Sequence, residues 1–360
     1  MKRVVICNKF PHLVIPQLDN YSIMIVNPDS TPDRLKYLLD NADWSLLITD
    51  SDEQYRDGGD YSNERILWYT SGTTGDSKFC GFSQEQLDRA VKNLCRSYEI
   101  TANDRYTGIM PLWHAHGQTF YWVTKHIQCE TNFISIKDIK TWNKHSPTFL
   151  TAIPDVLSAA THSKFDDLRF IRSASINMPS HTYQKLKEHF QVPVIEAFGM
   201  TESLSHCFTN PLHGEQRIGT VGLPDGIESK IENKRLLIRG PNVIQSGWFD
   251  TGDLAEQDEA GYYKILGRSL DQINVKGYKF NPLSLEQQLY NMVPEITEIS
   301  IFGSNTIKCL YVGEASVKKV LDAFKLLGQN CRPRLIKQID SIPKNSSGKI
   351  SRSLLDSMFQ

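Results

Sequence analysis

Short apolar segments rich in β-branched residues alternate with helical segments through the first third of the chain. Four segments have the length and composition of buried strands: residues 4–7, 22–26, 44–49 and 66–69. Between the second and the third, Thr31, Pro32 and Asp33 supply an N-cap residue, a first-turn proline and an early acid, which predict the start of a helix. This alternation is typical of a mainly parallel sheet covered by helices, so we expect an α/β fold.

A second helix is predicted after the last of these strands. Ser83, with Gln86 three residues later, has the form of a capping box. The apolar residues that follow recur with the period of an α-helix: Leu87, Ala90, Val91, Leu94 and Tyr98. The segment before this helix, residues 69–78, is therefore a loop that joins a strand to a helix.

The pattern of elements changes near residue 267. Residues 249–263 are rich in turn residues, and residues 51–62 are predicted to form a surface loop. A compact α+β module follows, with predicted helices at 283–292 and 316–328 and strands at 296–302, 308–312 and 335–342. A length of 360 residues favours about two domains. We therefore expect a large N-terminal α/β domain at residues 1–266 and a small C-terminal α+β domain at residues 267–360.

The charge balance, cysteine count and apolar runs of the chain argue against several classes of protein. The 40 Lys and Arg against 41 Asp and Glu give a formal net charge of −1, so no basic excess indicates a nucleic-acid or anionic-membrane partner. The seven cysteines are scattered and odd in number, which does not suit a disulfide framework. No apolar run approaches the ~18 residues that span a bilayer. We expect a cytoplasmic protein with no membrane span and no nucleic-acid partner.

The loop between the fourth strand and the second helix has the composition of a phosphate-binding loop. Its glycines allow close approach of the backbone, and its hydroxyls, N–H groups and lysine favour phosphate oxygens. The candidate residues are Thr70, Ser71, Gly72, Thr73, Thr74, Gly75 and Lys78. The loop is not a Walker A motif, because Gly75 is followed by Asp76 and Ser77 before the lysine.

This loop and four later segments resemble, in the same order, the motifs of the adenylate-forming ligase superfamily. That group includes acyl-CoA synthetases, the adenylation domains of peptide synthetases, and luciferases. The later segments are the Phe-Gly-Met-Thr-Glu run at 198–202, the Trp-Phe-Asp-Thr-Gly-Asp run at 248–253, Gly267-Arg268 with Gly277-Tyr278-Lys279, and the Pro-Lys-Asn-Ser-Ser-Gly-Lys run at 343–349. The resemblance spans residues 69 to 349 and implies a large domain followed by a small, mobile one.

The resemblance implies that a carboxylic acid and ATP give acyl-AMP and pyrophosphate, and that a pantetheine thiol of CoA or of an acyl or peptidyl carrier protein then takes the acyl group. It implies that Glu202 holds Mg²⁺, Thr201 donates to the α-phosphate, and Lys349 bridges carboxylate and phosphate as charge develops. Further contacts with ATP are implied at Ser173, Ala174, Ser175, Glu196, Ala197, Phe198, Gly199, Met200, Asp253 and Arg268. Of these, Phe198 is expected to stack on adenine, and Asp253 and Arg268 to contact the ribose.

The segment at 110–117 resembles the part of the family that borders the acid. His114 takes by position the role of a catalytic or gating residue that faces the thiol. The acyl pocket is predicted from Trp113, Gln118, Ile176 and Leu204, which favours a fatty or aryl acid. A metal site at His114 and His116 is disfavoured, because no third ligand stands at a suitable spacing. Gly277 and Lys279 are expected to line the acceptor tunnel.

The sequence also departs from the family pattern. Residues 173–177 read Ser-Ala-Ser-Ile-Asn where the family has a glycine-rich turn beside adenine, and the segment before residue 69 is shorter than in the family. Missing strands would leave a sheet edge that needs covering, for which we expect a homodimer. The shortening also motivates an alternative, in which the chain binds ATP without catalysis and acts as a scaffold or regulator.

Overall fold

A computed structural model describes residues 1–57, 63–70, 78–344 and 350–359. The chain begins with a six-stranded sheet in the order β4-β3-β1-β2-β5-β6. The inner strands β3, β1, β2 and β5 run parallel, and the edge strands β4 and β6 pair antiparallel. These elements are β1 Arg3–Cys7, α1 Pro11–Val14, β2 Ser22–Ile25, α2 Pro32–Ala42, β3 Leu46–Thr49, β4 Glu53–Tyr55, β5 Ile66–Tyr69 and β6 Phe79–Phe82.

Two long helices follow this sheet. They are α3 Gln84–Tyr98 and α4 Ala115–Ile127, and they alternate with a parallel pair of short strands, β7 Arg105–Gly108 and β8 Glu130–Phe133. The predicted capping box is present at the start of α3. The amide of Gln86 donates to Oγ of Ser83 at 3.2 Å, and the amide of Ser83 donates to Oε1 of Gln86 at 3.1 Å. A ten-residue 3₁₀ segment, Ile136–His145, leads to the next sheet.

A five-stranded sheet forms the second half of the large α/β unit. Its elements are β9 Phe149–Ala152, α5 Pro154–Ala160, β10 Phe170–Ser173, α6 Ser180–Phe190, β11 Val194–Phe198, β12 Phe208–Thr209 and β13 Leu223–Pro224. The strands β9, β10 and β11 are parallel, whereas β12 and β13 pair antiparallel at the edge beyond β11.

Packing of the apolar side chains arranges these elements in five layers. The helix α2 covers one face of the first sheet through Leu38 and Ala42. The helices α3 and α4 lie between the two sheets, and the largest core cluster joins Val4 and Trp68 of the first sheet with Phe170 of the second. The helices α5 and α6 cover the outer face of the second sheet. Both parallel sheets are thus buried on both faces, as sheets of this kind require.

Residues 228–268 form an antiparallel sheet. Sequence analysis predicted only turns for residues 249–263, which lie within this sheet. Its strands are β14 Glu228–Glu232, β15 Arg235–Arg239, β16 Phe249–Gln257 and β17 Tyr263–Arg268. Leu236, Ile238 and Tyr263 bury one face of this sheet against Phe208 of β12. The prediction failed at β16 because most of its residues are polar or glycine, so no long apolar run marks that strand.

The small α+β module follows. It contains β18 Ile273–Val275, β19 Tyr278–Phe280, α7 Pro282–Met292, β20 Ile296–Phe302, β21 Lys308–Gly313, α8 Val317–Leu327, β22 Leu335–Gln338 and α9 Arg352–Met358. The strand predicted at 335–342 ends at Gln338, the last residue paired in register with β21. The module contacts the large unit through the ammonium of Lys344, 2.6 Å from Asp155, and through a hydrogen bond of 3.2 Å from Gln287 to Asn177.

The α/β fold predicted for the large unit and the α+β pattern predicted for the small module are confirmed. In the first sheet, β2 ends at Ile25 rather than at residue 26, and β3 begins at Leu46 rather than at residue 44. The loop predicted at 51–62 contains the exposed edge strand β4. No helix in the described ranges is long and apolar enough to cross a membrane.

Candidate active site

The predicted nucleotide-binding residues gather at the carboxyl ends of β10 and β11. These strands are parallel neighbours, with Ser173 opposite Glu196 in the register. The segments that follow them leave the sheet at the same edge, which is where ligands of open α/β sheets bind. Two sequence-predicted groups meet there: Ser173, Ala174 and Ser175, and Glu196, Ala197, Phe198, Gly199 and Met200.

The segment after β10 keeps the backbone of a glycine turn without its glycine. Ser175 has a φ of +74°, in the left-handed region that L-residues rarely adopt. The Oγ of Ser173 is buried and has no hydrogen-bond partner within the described part of the chain. A buried polar atom without a partner is a position that a ligand can satisfy. This segment is therefore suited to face a polar group of a nucleotide.

The backbone of the segment after β11 passes close to the backbone of Ser205. A Cβ on Gly199 would stand 2.2 Å from the carbonyl carbon of Ser205, so only glycine fits. Thr201–Ser203 form a short 3₁₀ turn, and the amide of Ile244 donates to the backbone oxygen of Glu202 at 2.8 Å. The side chain of Glu202 remains half-buried.

Only the two ends of the predicted phosphate loop are described. The amide of Thr70 donates to the carbonyl of Lys78 at 2.9 Å, and the amide of Lys78 donates to Oγ1 of Thr70 at 3.3 Å. The segment joins β5 to the strand β6, and the prediction that it leads directly into a helix is wrong. Five candidates lie outside the described residues: Ser71, Gly72, Thr73, Thr74 and Gly75.

The charges of Glu202 and Lys78 both act on Cys80 of β6. Burial, with the nearby Glu202 carboxylate, raises the pKa of the Cys80 thiol to about 12, and Lys78 opposes that rise. The Glu202 carboxylate is therefore near enough to influence Cys80, which stands two residues after Lys78 at the end of the predicted phosphate loop. A single carboxylate at this place fits Mg²⁺, which is held in proteins by one or two carboxylates together with phosphate oxygens and water.

Asp253 and Arg268 face each other across β16 and β17. They are partners in the strand register, and Nε of Arg268 lies 3.1 Å from Oδ1 of Asp253. The Asp253 side chain is almost fully buried, whereas half of the Arg268 side chain is exposed. Both residues line a cavity of about 120 Å³ whose other wall includes Asn281 of the small module. The pair thus places a carboxylate acceptor beside a guanidinium donor, an arrangement that suits hydroxyl groups such as those of a ribose.

Glu196 is a buried carboxyl group on β11. Its Oε1 accepts a hydrogen bond of 2.8 Å from the amide of Gly219. Burial raises the pKa of Glu196 to about 8, although hydrogen bonds from the amides of Gly219 and Met178 oppose the rise. Burial therefore shifts this carboxyl group toward its protonated form, which can donate a hydrogen bond.

Three of the predicted acid-binding residues are half-buried, and two are fully buried. His114 is the N-cap of α4, and Trp113 and His114 are both half-buried. Gln118 is buried and accepts a hydrogen bond from Nε1 of Trp68. Leu204 is buried in the core, and Thr119 of α4 donates to its carbonyl at 3.3 Å. Ile176 is half-buried beside Ser175.

Sequence analysis missed a buried polar network beneath this region. Arg172 of β10 is 1% exposed, and its Nη1 lies 3.3 Å from Nε2 of His116. Nε2 of His116 is 2.7 Å from Oγ1 of Thr151, and Nδ1 is 3.1 Å from Oγ of Ser175. The available signal was a charged residue within the apolar strand of residues 170–173, since isolated charges are almost never fully buried.

The predicted acceptor residues belong to the small module. Lys276 and Gly277 both have positive φ, 51° and 89°, and form the two-residue turn between β18 and β19. Lys279 is exposed on β19. The predicted catalytic residue Lys349 lies outside the described residues. In the described part of the chain, no group of three or more His, Cys, Asp and Glu side chains is arranged to hold a metal ion.

Comparisons with known proteins identify the family to which a chain with this fold and this arrangement of residues belongs. The family model described as "AMP-binding enzyme" matches residues 63–246, about half of the chain. The oxalate–CoA ligase of Arabidopsis thaliana is 29% identical over 89% of this chain and 74% of its own length. The sulfoacetate–CoA ligase of Cupriavidus necator is 25% identical over 80% of this chain and 65% of its own length. The chain thus spans about two thirds to three quarters of these relatives.

A solved structure of ATP-bound MatB from Rhodopseudomonas palustris superposes with a TM-score of 0.88 over 99% of this chain and 88% of that one, at 20% identity. The fold is therefore shared over nearly the whole described molecule. The chain belongs to the AMP-binding enzyme family. The predictions of an adenylate-forming fold and of a ligase of this superfamily are confirmed.

Proposed function

We propose that this protein is an AMP-forming acid–CoA ligase that activates a small carboxylic acid. The acid attacks the α-phosphorus of ATP, acyl-AMP forms, and pyrophosphate leaves; a thiol then displaces AMP and forms a thioester. The observation that carries the proposal is the meeting of the segments after β10 and β11 at one sheet edge, together with the Asp253–Arg268 pair. Small size is favoured because two relatives are named for oxalate and sulfoacetate.

Each group of residues has its own role in the first step, the formation of acyl-AMP. Ser71, Thr73, Thr74 and Lys78 bind the β- and γ-phosphates, and Thr201 donates to the α-phosphate. Phe198 packs against adenine. Mg²⁺, held by Glu202, would offset negative charge on the phosphates when bound. Lys349 supplies the positive charge that the carboxylate and phosphate oxygens need as they approach.

The second step uses a separate group of residues. The boundary at residue 267 and the rotation of the small domain belong to the proposal, because the turn at Gly277 must reach the acid side for thiol transfer. We propose CoA as the thiol, with Lys279 near its phosphates; the alternative acceptor is the pantetheine of a carrier protein. His114, at the start of α4, faces the incoming thiol.

The test is ATP–pyrophosphate exchange with purified protein across oxalate, malonate, sulfoacetate, acetate, benzoate and octanoate. We expect acid-dependent exchange with at least one small acid, and formation of its thioester when CoA is added. Exchange without thioester formation would point to a carrier-protein acceptor. Nucleotide binding without exchange for any acid would contradict the proposal and favour the non-catalytic alternative.

A further inference from the structure

Lys344 is a cation of the small module that pairs with one carboxylate from each unit. Its ammonium lies 2.6 Å from Oδ2 of Asp155, in the first turn of α5, and 3.1 Å from Oε2 of Glu298 on β20. Burial lowers the pKa of Lys344, but the two carboxylates outweigh burial and raise the pKa above its usual value. Lys344 therefore remains charged, and through Asp155 it joins the small module to the large unit.

Two further contacts join α7 of the small module to the large unit. Nε2 of Gln287 donates to Oδ1 of Asn177 at 3.2 Å. The ring of Tyr290 lies 5.4 Å from the ring of His181 on α6. Asn177 stands two residues after Ser175, in the segment that follows β10. The small module thus touches a segment of the candidate nucleotide site.

The place of Lys344 in the sequence gives its ion pair a consequence for catalysis. Lys344 precedes Lys349, the proposed catalytic cation, by five residues. Five residues of fully extended chain reach at most about 18 Å, so the position of Lys344 limits where Lys349 can act. Small displacements of a reacting group cost large factors in rate. A contact that fixes Lys344 against the large unit therefore bears on the adenylation rate.

We propose that Asp155 is a positioning residue for adenylation, because its ion pair with Lys344 holds the small module in the orientation that brings Lys349 to the acid and the nucleotide. This role rests on the proposed function, since it presupposes two steps with two orientations of the small module. Thiol transfer needs the turn at Gly277 to reach the acid side, so the pair opens before the second step. Asp155 thus favours the first step over the second.

The exposure of the pair suits a contact that forms and opens in every cycle. The Asp155 side chain is 56% exposed, so water and salt weaken its attraction for Lys344. Such a pair shifts the equilibrium between two orientations by about fivefold or less. In contrast, Nη2 of Arg352 lies 2.8 Å and 2.7 Å from the two oxygens of the buried Glu286, and this pair stays within the small module.

The test measures the two steps separately. ATP–pyrophosphate exchange with the preferred acid reports the first step, and thioester formation from the prepared acyl-adenylate and pantetheine, the thiol common to both acceptors, reports the second. Asp155→Asn should lower kcat of exchange about threefold to fivefold with KM for ATP nearly unchanged. Its rate of thioester formation should equal or exceed that of the wild type. Asp155→Glu, which keeps the charge, should recover most of the exchange rate.

The matched control is Asp356→Asn. Oδ1 of Asp356 lies 2.9 Å from the ammonium of Lys308, and both residues belong to the small module. The substitution therefore removes a carboxylate–lysine pair of the same kind without touching the contact between the units. We expect the ratio of the two rates in Asp356→Asn to equal that of the wild type.

Four results would overturn the positioning role. Wild-type exchange in Asp155→Asn would show that the pair does not hold the productive orientation, and equal losses in both steps would make Asp155 only structural. The same change of ratio in Asp356→Asn would assign the effect to a loosened small module. These three results leave the ligase function intact, whereas absence of exchange with every acid in the wild type would reject that function and the role with it.

Discussion

Gly199 occupies the tightest backbone position of the candidate site. It follows β11, and an added Cβ would meet the carbonyl carbon and oxygen of Ser205, each at 2.2 Å. We predict that Gly199→Ala lowers the free energy of unfolding by about 1–3 kcal/mol, as overpacking does elsewhere, and weakens AMP binding because the segment from Phe198 to Glu202 must shift. Urea unfolding and calorimetric titration with AMP measure the two effects.

The control for this prediction is Gly214→Ala. A Cβ there would meet nothing nearer than 4.0 Å, so the variant measures backbone strain without a clash. Full AMP affinity in Gly199→Ala would contradict the placement of this segment at the nucleotide.

His206 and Asp225 form a buried pair, through which we expect stability to depend on pH. Nε2 of His206 donates to Oδ2 of Asp225 at 2.7 Å. Burial lowers the pKa of His206 from 6.5, although Asp225 opposes the shift. The unfolded chain therefore takes up a proton near pH 6.5, whereas the folded chain does so only at lower pH, and acidification favours unfolding.

The prediction is a fall in the free energy of unfolding between pH 7 and pH 5, with a contribution from this histidine of at most about 1.4 kcal/mol per pH unit. Urea titrations at several pH values measure it. His206→Gln keeps a donor toward Asp225 but cannot titrate, so its curve should be flatter. An unchanged slope in that variant would assign the dependence to other groups.

At the scale of elements, α3 is a helix that local sequence signals predict correctly. Its capping box and apolar period were both predicted, and the helix lies between the two sheets with Leu87, Val91 and Leu94 fully buried. We predict that Ser83→Ala costs about 1 kcal/mol of stability, because the amide of Gln86 loses its acceptor. Ser83→Thr, which keeps a capping hydroxyl, should recover most of that loss in the same urea titration. Equal stability of the alanine variant and the wild type would show that the cap adds nothing.

Local signals were sufficient for elements whose pattern lies in adjacent residues. Strands β1, β2 and β5, helices α2, α3, α7 and α8, and the order of the motifs could all be predicted, because caps, periodicity and apolar runs are short-range. In the antiparallel sheet, β16 was missed because its longest apolar run is two residues, Leu254 and Ala255. The Arg172 network was missed for a different reason: Arg172 and His116 are 56 residues apart and meet only when α4 packs on the second sheet.

At the scale of the whole molecule, the predicted homodimer concerns the edge of the first sheet. The edge strand β4 has three exposed residues, and Tyr55 is 72% exposed beside Glu53. If this edge pairs with a second copy, the protein should sediment as a dimer at micromolar concentration, and Tyr55→Lys should shift it toward the monomer, because a charged edge resists pairing. A monomer at all concentrations in analytical ultracentrifugation would remove the dimer from the account.

The claim that the large unit and the small module both take part in adenylation can be tested at Lys349. ATP–pyrophosphate exchange is measured with the preferred acid for the wild type, for Lys349→Ala, and for Lys318→Ala, which removes an exposed lysine from α8 of the same module. The account predicts a loss of about 10²–10³-fold for Lys349→Ala, as for removal of other groups that stabilise developing charge, and none for the control. Wild-type exchange in Lys349→Ala would contradict the claim that this lysine joins the acid to the nucleotide.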